Sequence, residues 1–296
     1  MIEVRELEKR YGDVRAVDGV SFEIHSGEAF GLLGPNGAGK TTTILMIVGA
    51  LAPDRGEVRL NGRSDPTQVD VRRGVGMAPQ DLAIYEELTG AENLTFFGRI
   101  YGLGGKRLQE RVDWGLEFAG LIDRRRDRAG NYSGGMKRRL NLACALVHEP
   151  RVLFCDEPTV GVDPQSRNHI FESIEELKNE GCTLIYTTHY MEEAQRLCDR
   201  VAIMDHGKVL ALDTVSALVA EYGGASLVEA ELTAEPDRPD ELPGTLQGNR
   251  LVIETNQPLE SMAALGKSGV EIERLRIERP DLERVFLHLT GRSLRD

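Results

Sequence analysis

Short runs of consecutive apolar residues alternate with longer stretches of helical periodicity from the N-terminus to about residue 220. A run that is apolar on successive residues is typical of a strand buried on both faces, whereas apolar positions three or four residues apart indicate a helix. The apolar runs are 30–33, 152–155, 183–186, 201–204 and 209–211, and the helical stretches include 41–51, 136–147, 165–180 and 191–198. Strands separated by helices predict an α/β fold with a mostly parallel sheet that is covered on both faces.

The pattern changes at residues 222–226, a Tyr-Gly-Gly-Ala-Ser segment. We therefore predict a large first domain over 1–222 and a small accessory domain over 226–296. In the small domain we expect strands at 227–232, 251–253 and 270–277, helices at 259–267 and 282–289, and a proline-rich loop at 234–244. One apolar helical stripe would pack on the first domain, against a partner chain or within its own small domain. It comprises Leu282, Val285, Phe286 and Leu289.

Composition places the chain among ordinary globular proteins, since its 296 residues are 41% hydrophobic and 28% charged. The net charge of −12 argues against a protein that grips the backbone of nucleic acid, which requires clustered Lys and Arg. The longest mainly apolar stretch, 44–53, is far below the ~20 residues that span a bilayer. Residues 1–5 lack the order of charges and apolar residues typical of a signal peptide. We therefore expect a cytoplasmic protein.

The cysteines show no spacing that is typical of a zinc site or a redox pair. They are Cys144, Cys155, Cys182 and Cys198. We interpret them as buried, reduced thiols.

Residues 34–41, Gly-Pro-Asn-Gly-Ala-Gly-Lys-Thr, match the pattern G-x-x-x-x-G-K-[ST] between a predicted strand and a predicted helix. The glycines allow backbone N–H groups to surround phosphate oxygens, and the helix N-terminus adds a partial positive charge. Lys40 would supply a full charge to the β- and γ-phosphates, and the hydroxyl of Thr41 would ligate Mg²⁺. This segment predicts nucleotide binding.

Two further motifs carry charge or free amides. Asp156 and Glu157 follow the apolar run 152–155. An acid at the end of a buried strand beside a phosphate loop is placed to hold Mg²⁺, which is the role expected of Asp156. The adjacent Glu157 is placed to orient or deprotonate the attacking water. Ser133, Gly134 and Gly135 open a helix and form a second anion-binding turn, or alternatively an ordinary helix cap. Because one triphosphate has little use for two such turns in one chain, a head-to-tail dimer would explain the second turn.

In this combination and order, the motifs resemble those of the ATP-binding subunits of ABC transporters. The resemblance covers residues 1 to about 220. It assigns the Walker A loop to 34–41, Walker B to 152–156, the signature motif to 133–135 and the D-loop to 161–163. The residues that it assigns to nucleotide binding are Tyr11, Gly34, Pro35, Asn36, Gly37, Ala38, Gly39, Lys40, Thr41, Thr42, Ser133, Gly134, Gly135 and Asp163.

The same resemblance implies that Glu157, the switch histidine His189 and the Q-loop glutamine Gln80 are catalytic, and that Mg²⁺ binds Thr41, Gln80 and Asp156. The implied fold is a P-loop ABC ATPase domain, with a mostly parallel sheet and antiparallel and helical subdomains, followed by a small C-terminal α/β domain. The cofactors would be ATP and Mg²⁺.

Two positions depart from the usual signature: Tyr132 stands where Leu is usual and Met136 where Gln is usual. This variant and the ending 281–291 resemble the subgroup of drug-resistance exporter ATPases, which are related to daunorubicin and other antibiotic efflux subunits. Residues 94–97 would either pack in the core or meet the membrane partner.

The resemblance implies an ATP-hydrolysing subunit of an efflux-type transporter that works as a homodimer. It would energise a separate transmembrane permease from the inner face of the membrane. Two alternatives remain at this point: a soluble ABC-type ATPase of translation or DNA repair, and an unrelated phosphate-loop kinase or GTPase. The transported cargo stays open, because its path belongs to the permease.

Overall fold

The structure is a computed structural model that describes residues 1–63, 65–234, 236 and 242–291. The chain divides into two compact units, Met1–Val215 and Ser216–Asp296, which we call the first and the second unit. This division lies seven residues before the boundary that the sequence predicts at 222. Much of the predicted loop 234–244 lies outside the described residues.

In the first unit the strands are β1 (Ile2–Tyr11), β2 (Val14–Ile24), β3 (Ala29–Leu33), β4 (Arg55–Leu60), β5 (Val75–Ala78), β6 (Val152–Asp156), β7 (Thr183–Thr188), β8 (Arg200–Asp205) and β9 (Lys208–Thr214). The helices are α1 (Lys40–Ile47), α2 (Val69–Arg72), α3 (Gly90–Ile100), α4 (Gly105–Phe118), α5 (Gly134–Leu146), α6 (Pro164–Asn179) and α7 (Met191–Leu197). Helix α8 (Val215–Tyr222) begins at the boundary, and the second unit adds β10 (Ser226–Leu232), β11 (Thr245–Gln247), β12 (Arg250–Thr255), α9 (Pro258–Lys267), β13 (Ile272–Glu278) and α10 (Leu282–Thr290).

A six-stranded sheet forms the centre of the first unit, in the order β5-β6-β7-β3-β8-β9. All its pairs are parallel except β8-β9, which is an antiparallel hairpin. Every residue of β3, β6 and β7 is buried, as their consecutive apolar residues predict. The parallel register places Leu33 opposite Thr188 and Asp156 opposite Thr187, so the carboxyl ends of these three strands share one edge.

A second, antiparallel sheet has the order β2-β1-β4, and the pattern of single residues does not predict its strands. Register shifts in β1 after Val4 and Leu7 interrupt the alternation of inward and outward side chains on which such a prediction depends. Its inner side chains share one core cluster with α1 and one face of the central sheet. The rings of Phe22 and Phe30 stack there with centroids 5.1 Å apart.

Helices α3, α4 and α5 form a helical region with a core of its own around Leu94, Leu116 and Leu140. Helix α3 starts at a capping box in which Thr89 and Glu92 each accept the other's backbone N–H. Helix α1 ends at Ile47, four residues earlier than the sequence predicts, and Gly49 follows in the left-handed conformation.

The second unit contains an antiparallel sheet in the order β11-β12-β10-β13. Helix α9 packs on one face of this sheet through Leu265, in a cluster with Val228, Leu251 and Ile253. Of the predicted stripe on α10, three residues are buried and Leu289 is half-buried. Strand β11 is missing from the sequence prediction because it has only three residues. Among the described helices, none is long and apolar enough to cross a membrane.

Candidate functional site

The loop that follows β3 lies very close to neighbouring backbone. A Cβ atom on Gly34 would lie 2.2 Å from the carbonyl oxygen of Met204, and one on Gly39 would lie 2.3 Å from that of Ala16. Both glycines also have positive φ angles, 152° and 101°. Only glycine satisfies these two constraints together. Helix α1 then starts at Lys40 without a side-chain cap, so its first N–H groups are left for a ligand.

The side chain of Lys40 is only 5% exposed. Its ammonium group donates to the carbonyl oxygens of Gly34 at 2.8 Å and Pro35 at 3.1 Å, and it lies 3.3 Å from Oε1 of Glu157. A buried ammonium is costly unless polar partners surround it. The loop therefore holds the positively charged ammonium group of Lys40 at the edge where β3, β6 and β7 end.

Thr187 at the end of β7 orders the two acids that end β6. Its hydroxyl donates to Oδ1 of Asp156 and accepts the backbone N–H of Glu157 at 2.9 Å. Glu157 has a positive φ of 46°, which is unusual for a residue with a side chain. This turn directs the carboxylate of Glu157 toward Lys40, and Asp156 stays almost completely buried.

His189 follows β7 directly and completes the group. Its Nδ1 lies 3.4 Å from Oε1 of Glu157, and this nitrogen is buried without a hydrogen-bond partner in the described part of the chain. A buried polar atom without a partner indicates a site that awaits a ligand or water. The structure thus brings Lys40, Asp156, Glu157 and His189 together, as the sequence predicts.

Gln80 lies two residues beyond β5, next to the end of β6, because β5 and β6 are parallel neighbours. Its side chain is exposed, and its backbone carbonyl accepts a hydrogen bond from Arg138 of α5. The structure therefore ties the segment around Gln80 to the helix that begins at Gly134.

Ser133 and Gly135 form a separate group with Asp163. Ser133 caps α5 by accepting the N–H of Met136 at 3.2 Å, and Asp163 caps α6 by accepting the N–H of Ser166 at 2.9 Å. That backbone hydrogen bond lowers the pKa of Asp163, which stays ionised. A Cβ atom on Gly135 would lie 2.0 Å from Oγ of Ser166, so the two helix N-termini pack closely. Between this group and the Lys40 group, the described residues form no hydrogen bond or ion pair.

The remaining predicted ligands lie around the phosphate loop or on an exposed turn. Thr41 is exposed and Thr42 half-buried in the first turn of α1. Tyr11 is 52% exposed at the end of the β1–β2 hairpin. Its ring is therefore available for stacking on a base.

Comparison with known proteins decides the family. The sequence profile that describes the ABC transporter family matches residues 17–160. The linearmycin resistance ATP-binding protein of Bacillus subtilis is 40% identical, with 100% of both chains covered. The daunorubicin resistance ATP-binding protein of Streptomyces coeruleorubidus is 39% identical over 98% of this chain and 96% of its own. The chain belongs to the ATP-binding proteins of the ABC transporter family.

Solved structures agree with this assignment. An ATP-binding subunit of an ABC transporter aligns with a TM-score of 0.69 and 32% identity, over 75% of this chain and 93% of its own. A bacterial ABC transporter cassette, solved as a dimer, aligns with a TM-score of 0.67 and 26% identity, over 72% of this chain and 98% of its own. These similarities confirm the predicted fold class. Together with the family match, they show that this ABC protein is an ATPase. They exclude the unrelated phosphate-loop kinase or GTPase.

The structure explains both departures from the usual ABC signature. The ring of Tyr132 is buried in the helical region, and its hydroxyl donates to the carbonyl oxygen of Arg124 at 2.8 Å. Met136 packs on the same helical core. Neither change removes the hydroxyl of Ser133 or the backbone N–H groups of the residues that follow it. The turn therefore retains the donors that could bind an anion.

Sequence reasoning missed two groups of this ABC site: Thr187, which orders both acids, and the buried acid Glu193, which hydrogen-bonds Thr159 and Thr188. The two threonines before His189 are the sequence signal that could have pointed to them. The four cysteines are free; Cys144, Cys155 and Cys198 are buried, and Cys182 is half-buried. Burial raises the pKa of the Cys198 thiol to about 12, which keeps it protonated.

Proposed function

We propose that this ABC ATPase is the ATP-hydrolysing subunit of an exporter and energises a separate transmembrane permease. The observation that carries the proposal is the contact of Glu157 with both Lys40 and His189 at the edge where three parallel strands end. The relatives add the direction of transport, because they are named for linearmycin resistance, daunorubicin resistance and, in Paraburkholderia xenovorans at 42% identity, Nod factor export.

The donors at this edge suit a hard divalent cation. Asp156 offers a carboxylate that only Thr187 hydrogen-bonds among the described residues, Thr41 offers an exposed hydroxyl, and Gln80 an exposed amide. These three residues would hold Mg²⁺ beside the phosphates. When bound, Mg²⁺ neutralises charge that develops on the β- and γ-phosphates.

In the proposed reaction, Lys40 exchanges its two carbonyl partners for phosphate oxygens, which bind an ammonium more strongly than neutral carbonyls do. This exchange also releases the carboxylate of Glu157, which then orients the attacking water and accepts its proton. His189 contacts the γ-phosphate through the ring that now lies beside Glu157. The nucleotide thus replaces the ion pair that fills its place.

Ser133, Gly135 and Asp163 support a head-to-tail homodimer as part of the proposal. They lie at an exposed pair of helix N-termini, and among the described residues no hydrogen bond or ion pair joins this pair to the Lys40 group of the same chain. In a dimer this pair would bind the nucleotide of the opposite chain. The similar cassette that was solved as a dimer is consistent with such an arrangement.

An exposed aromatic cluster supports the part of the proposal that concerns the permease. The rings of Tyr85 and Phe96 meet edge to face at 4.8 Å, and both residues are exposed, whereas Leu94 is buried in the helical core. Ile100 at the end of α3 is 62% exposed. This apolar surface would dock on the permease and hold the subunit at the inner face of the membrane.

The experiment compares the full chain with Glu157→Gln. Loss of the general base should lower ATP hydrolysis by ~10²–10⁴-fold and leave ATP binding intact. Because no product forms, ATP should then hold the variant as a dimer. Phosphate release and size-exclusion chromatography with Mg²⁺ and ATP measure both effects. Hydrolysis near the wild-type rate, without extra dimer, would overturn the assignment of Glu157.

Export is tested separately in cells. A strain whose only copy carries Glu157→Gln should become more sensitive to a panel of amphiphilic antibiotics than a strain with the wild-type gene. A strain with unchanged sensitivity, but with a defect in translation or DNA repair, would favour the soluble ABC-type ATPase instead.

A further inference from the structure

Helix α7 carries a carboxylate that no step of the proposed reaction uses. Glu193 is 3% exposed, and three side-chain hydroxyls donate to it. Thr159 donates to Oε1 at 2.7 Å, and Tyr186 and Thr188 donate to Oε2 at 2.9 and 2.8 Å. A buried carboxylate is costly unless such donors surround it, so these bonds hold their residues in place.

Two of the three donors belong to segments that carry catalytic groups. Thr159 lies two residues after Glu157, in the segment that leads to Asp163. Thr188 immediately precedes His189, and its hydroxyl also accepts the backbone N–H of Tyr190 at 2.9 Å. Glu193 therefore bridges the segment 157–163 and the loop around His189 through its two oxygens.

Arg167 on α6 strengthens this bridge from the side of Asp163. Its Nε lies 3.8 Å from Oε1 of Glu193, and its guanidinium lies 5.1 Å from the ring centroid of Tyr190. The third donor, Tyr186, lies within β7 and links Glu193 to the rigid sheet. Burial, and then the nearby carboxylate of Glu193, raise the pKa of Tyr186, so its phenol keeps the proton that it donates.

We propose that Glu193 is a positioning residue that couples the loop of His189 to the segment 157–163. A shift of Thr188 displaces the carboxylate that Thr159 also binds, so contact of His189 with a phosphate is transmitted toward Asp163. The dimer would thereby sense, through Asp163, whether the γ-phosphate is present. This inference rests on the proposed function, in which His189 and Asp163 contact nucleotide on opposite sides of one interface.

The first experiment compares Glu193→Gln with Glu192→Gln in the full chain. Glutamine keeps the volume of Glu193 but offers one acceptor oxygen instead of two, so Thr159 or the Tyr186–Thr188 pair loses its acceptor. We expect kcat to fall by ~10–100-fold, as for a small misplacement of catalytic groups, with KM for ATP nearly unchanged. Glu192 is exposed on the same turn of α7 and serves as the matched control, with wild-type kcat and KM.

A second experiment remains decisive if Glu193→Gln folds poorly. Thr159→Val and Thr188→Val each remove one hydroxyl at constant shape. Tyr186→Phe removes the donor that lies within β7 and leaves the hydrogen bonds of both threonines to Glu193 in place. If one carboxylate couples the two threonines, the losses in kcat are strongly non-additive in the double variant Thr159→Val/Thr188→Val. Tyr186→Phe should lower Tm but leave kcat per ATP-binding site close to wild type.

Additive losses, or a wild-type kcat in Glu193→Gln with only Tm lowered, would overturn the inference and leave a purely structural role. These results are separable from failure of the proposed function. If Glu157→Gln hydrolyses ATP normally, the assignment of the site is wrong whatever Glu193 does. If Glu157→Gln is inactive while Glu193→Gln keeps the wild-type kcat, only the coupling is wrong.

Discussion

The two units of the chain differ in what they bury. Among the described residues, every buried polar or charged side chain belongs to the first unit, and Lys40, Asp156, Glu157 and Glu193 are each at most 5% exposed. The buried side chains of the second unit are apolar, and they include Val228, Leu251, Ile253 and Leu265 on its sheet and helix.

This difference shows how the first unit combines stability with chemistry. Buried charges lower stability unless each has partners, and those of the first unit lie mainly where β6 and β7 end beside α1. Apolar strands on both sides of that edge support it, and in the proposed reaction the nucleotide replaces some of the internal partners. The second unit has no such cluster among its described residues, and its described core is apolar.

The largest expected effect concerns the second unit. Leu265→Ala should lower its free energy of unfolding by about 2–5 kcal/mol, because the buried leucine leaves a cavity between α9 and the sheet. ATP affinity should not change. Leu259→Ala on the same helix is the control, since Leu259 is 71% exposed and such surface changes cost within about 0.5 kcal/mol. Thermal unfolding and calorimetric ATP titration measure both effects, and equal destabilisation by the two variants would contradict the difference between the units.

Lys40→Ala tests the charged interior of the first unit. Hydrogen bonds to a charged group contribute about 1.5–3 kcal/mol, so ATP affinity should fall by roughly 10–100-fold. The control is Lys106→Ala, because Lys106 is 93% exposed on α4. Calorimetry gives both affinities, and an unchanged affinity in Lys40→Ala would show that the loop is not the phosphate site.

Gly135→Ala tests the packing of the two helix N-termini. The added methyl would lie 2.0 Å from Oγ of Ser166, which should destabilise the region by about 1–3 kcal/mol. We expect slower hydrolysis with nearly intact ATP binding by the single chain. Gly134→Ala is the matched control for stability, because its Cβ would meet nothing nearer than the carbonyl oxygen of Gly161 at 4.0 Å. Loss of ATP binding by monomeric Gly135→Ala would count against a site shared between two chains.

The smallest effect concerns pH. Burial lowers the pKa of His148 from 6.5 to about 4, although its Nε2 contacts the carbonyl oxygen of Val75 at 3.1 Å. Between these two pH values the unfolded chain binds a proton that the folded chain does not, so the free energy of unfolding of the first unit falls as pH falls. We expect a loss of about 1–2 kcal/mol, reduced by the partial exposure of the ring. His148→Gln should flatten this slope in urea unfolding at pH 4 to 7, and an unchanged slope would contradict the assignment.

Much of the site could be predicted because its residues lie in short, ordered motifs. The loop 34–41 and the acid pair 156–157 each follow a buried strand, and parallel strands bring their carboxyl ends to one edge. The bridge at Glu193 could not be predicted, because its donors come from positions 159, 186 and 188 and share no local pattern. Strand β1 was missed for a related reason, since its register shifts conceal the alternation.

By itself the sequence predicted the α/β class, which depends on periodicity, and the phosphate loop, which is one short local motif; the order of its motifs carried the resemblance to the ABC family. Only the tertiary structure decided which polar groups share a partner: Lys40 and His189 at Glu157, and Thr159 and Thr188 at Glu193. The physical reason is that a buried charge is stabilised by donors from whichever segments the fold brings within hydrogen-bond distance, and chain order does not encode that distance.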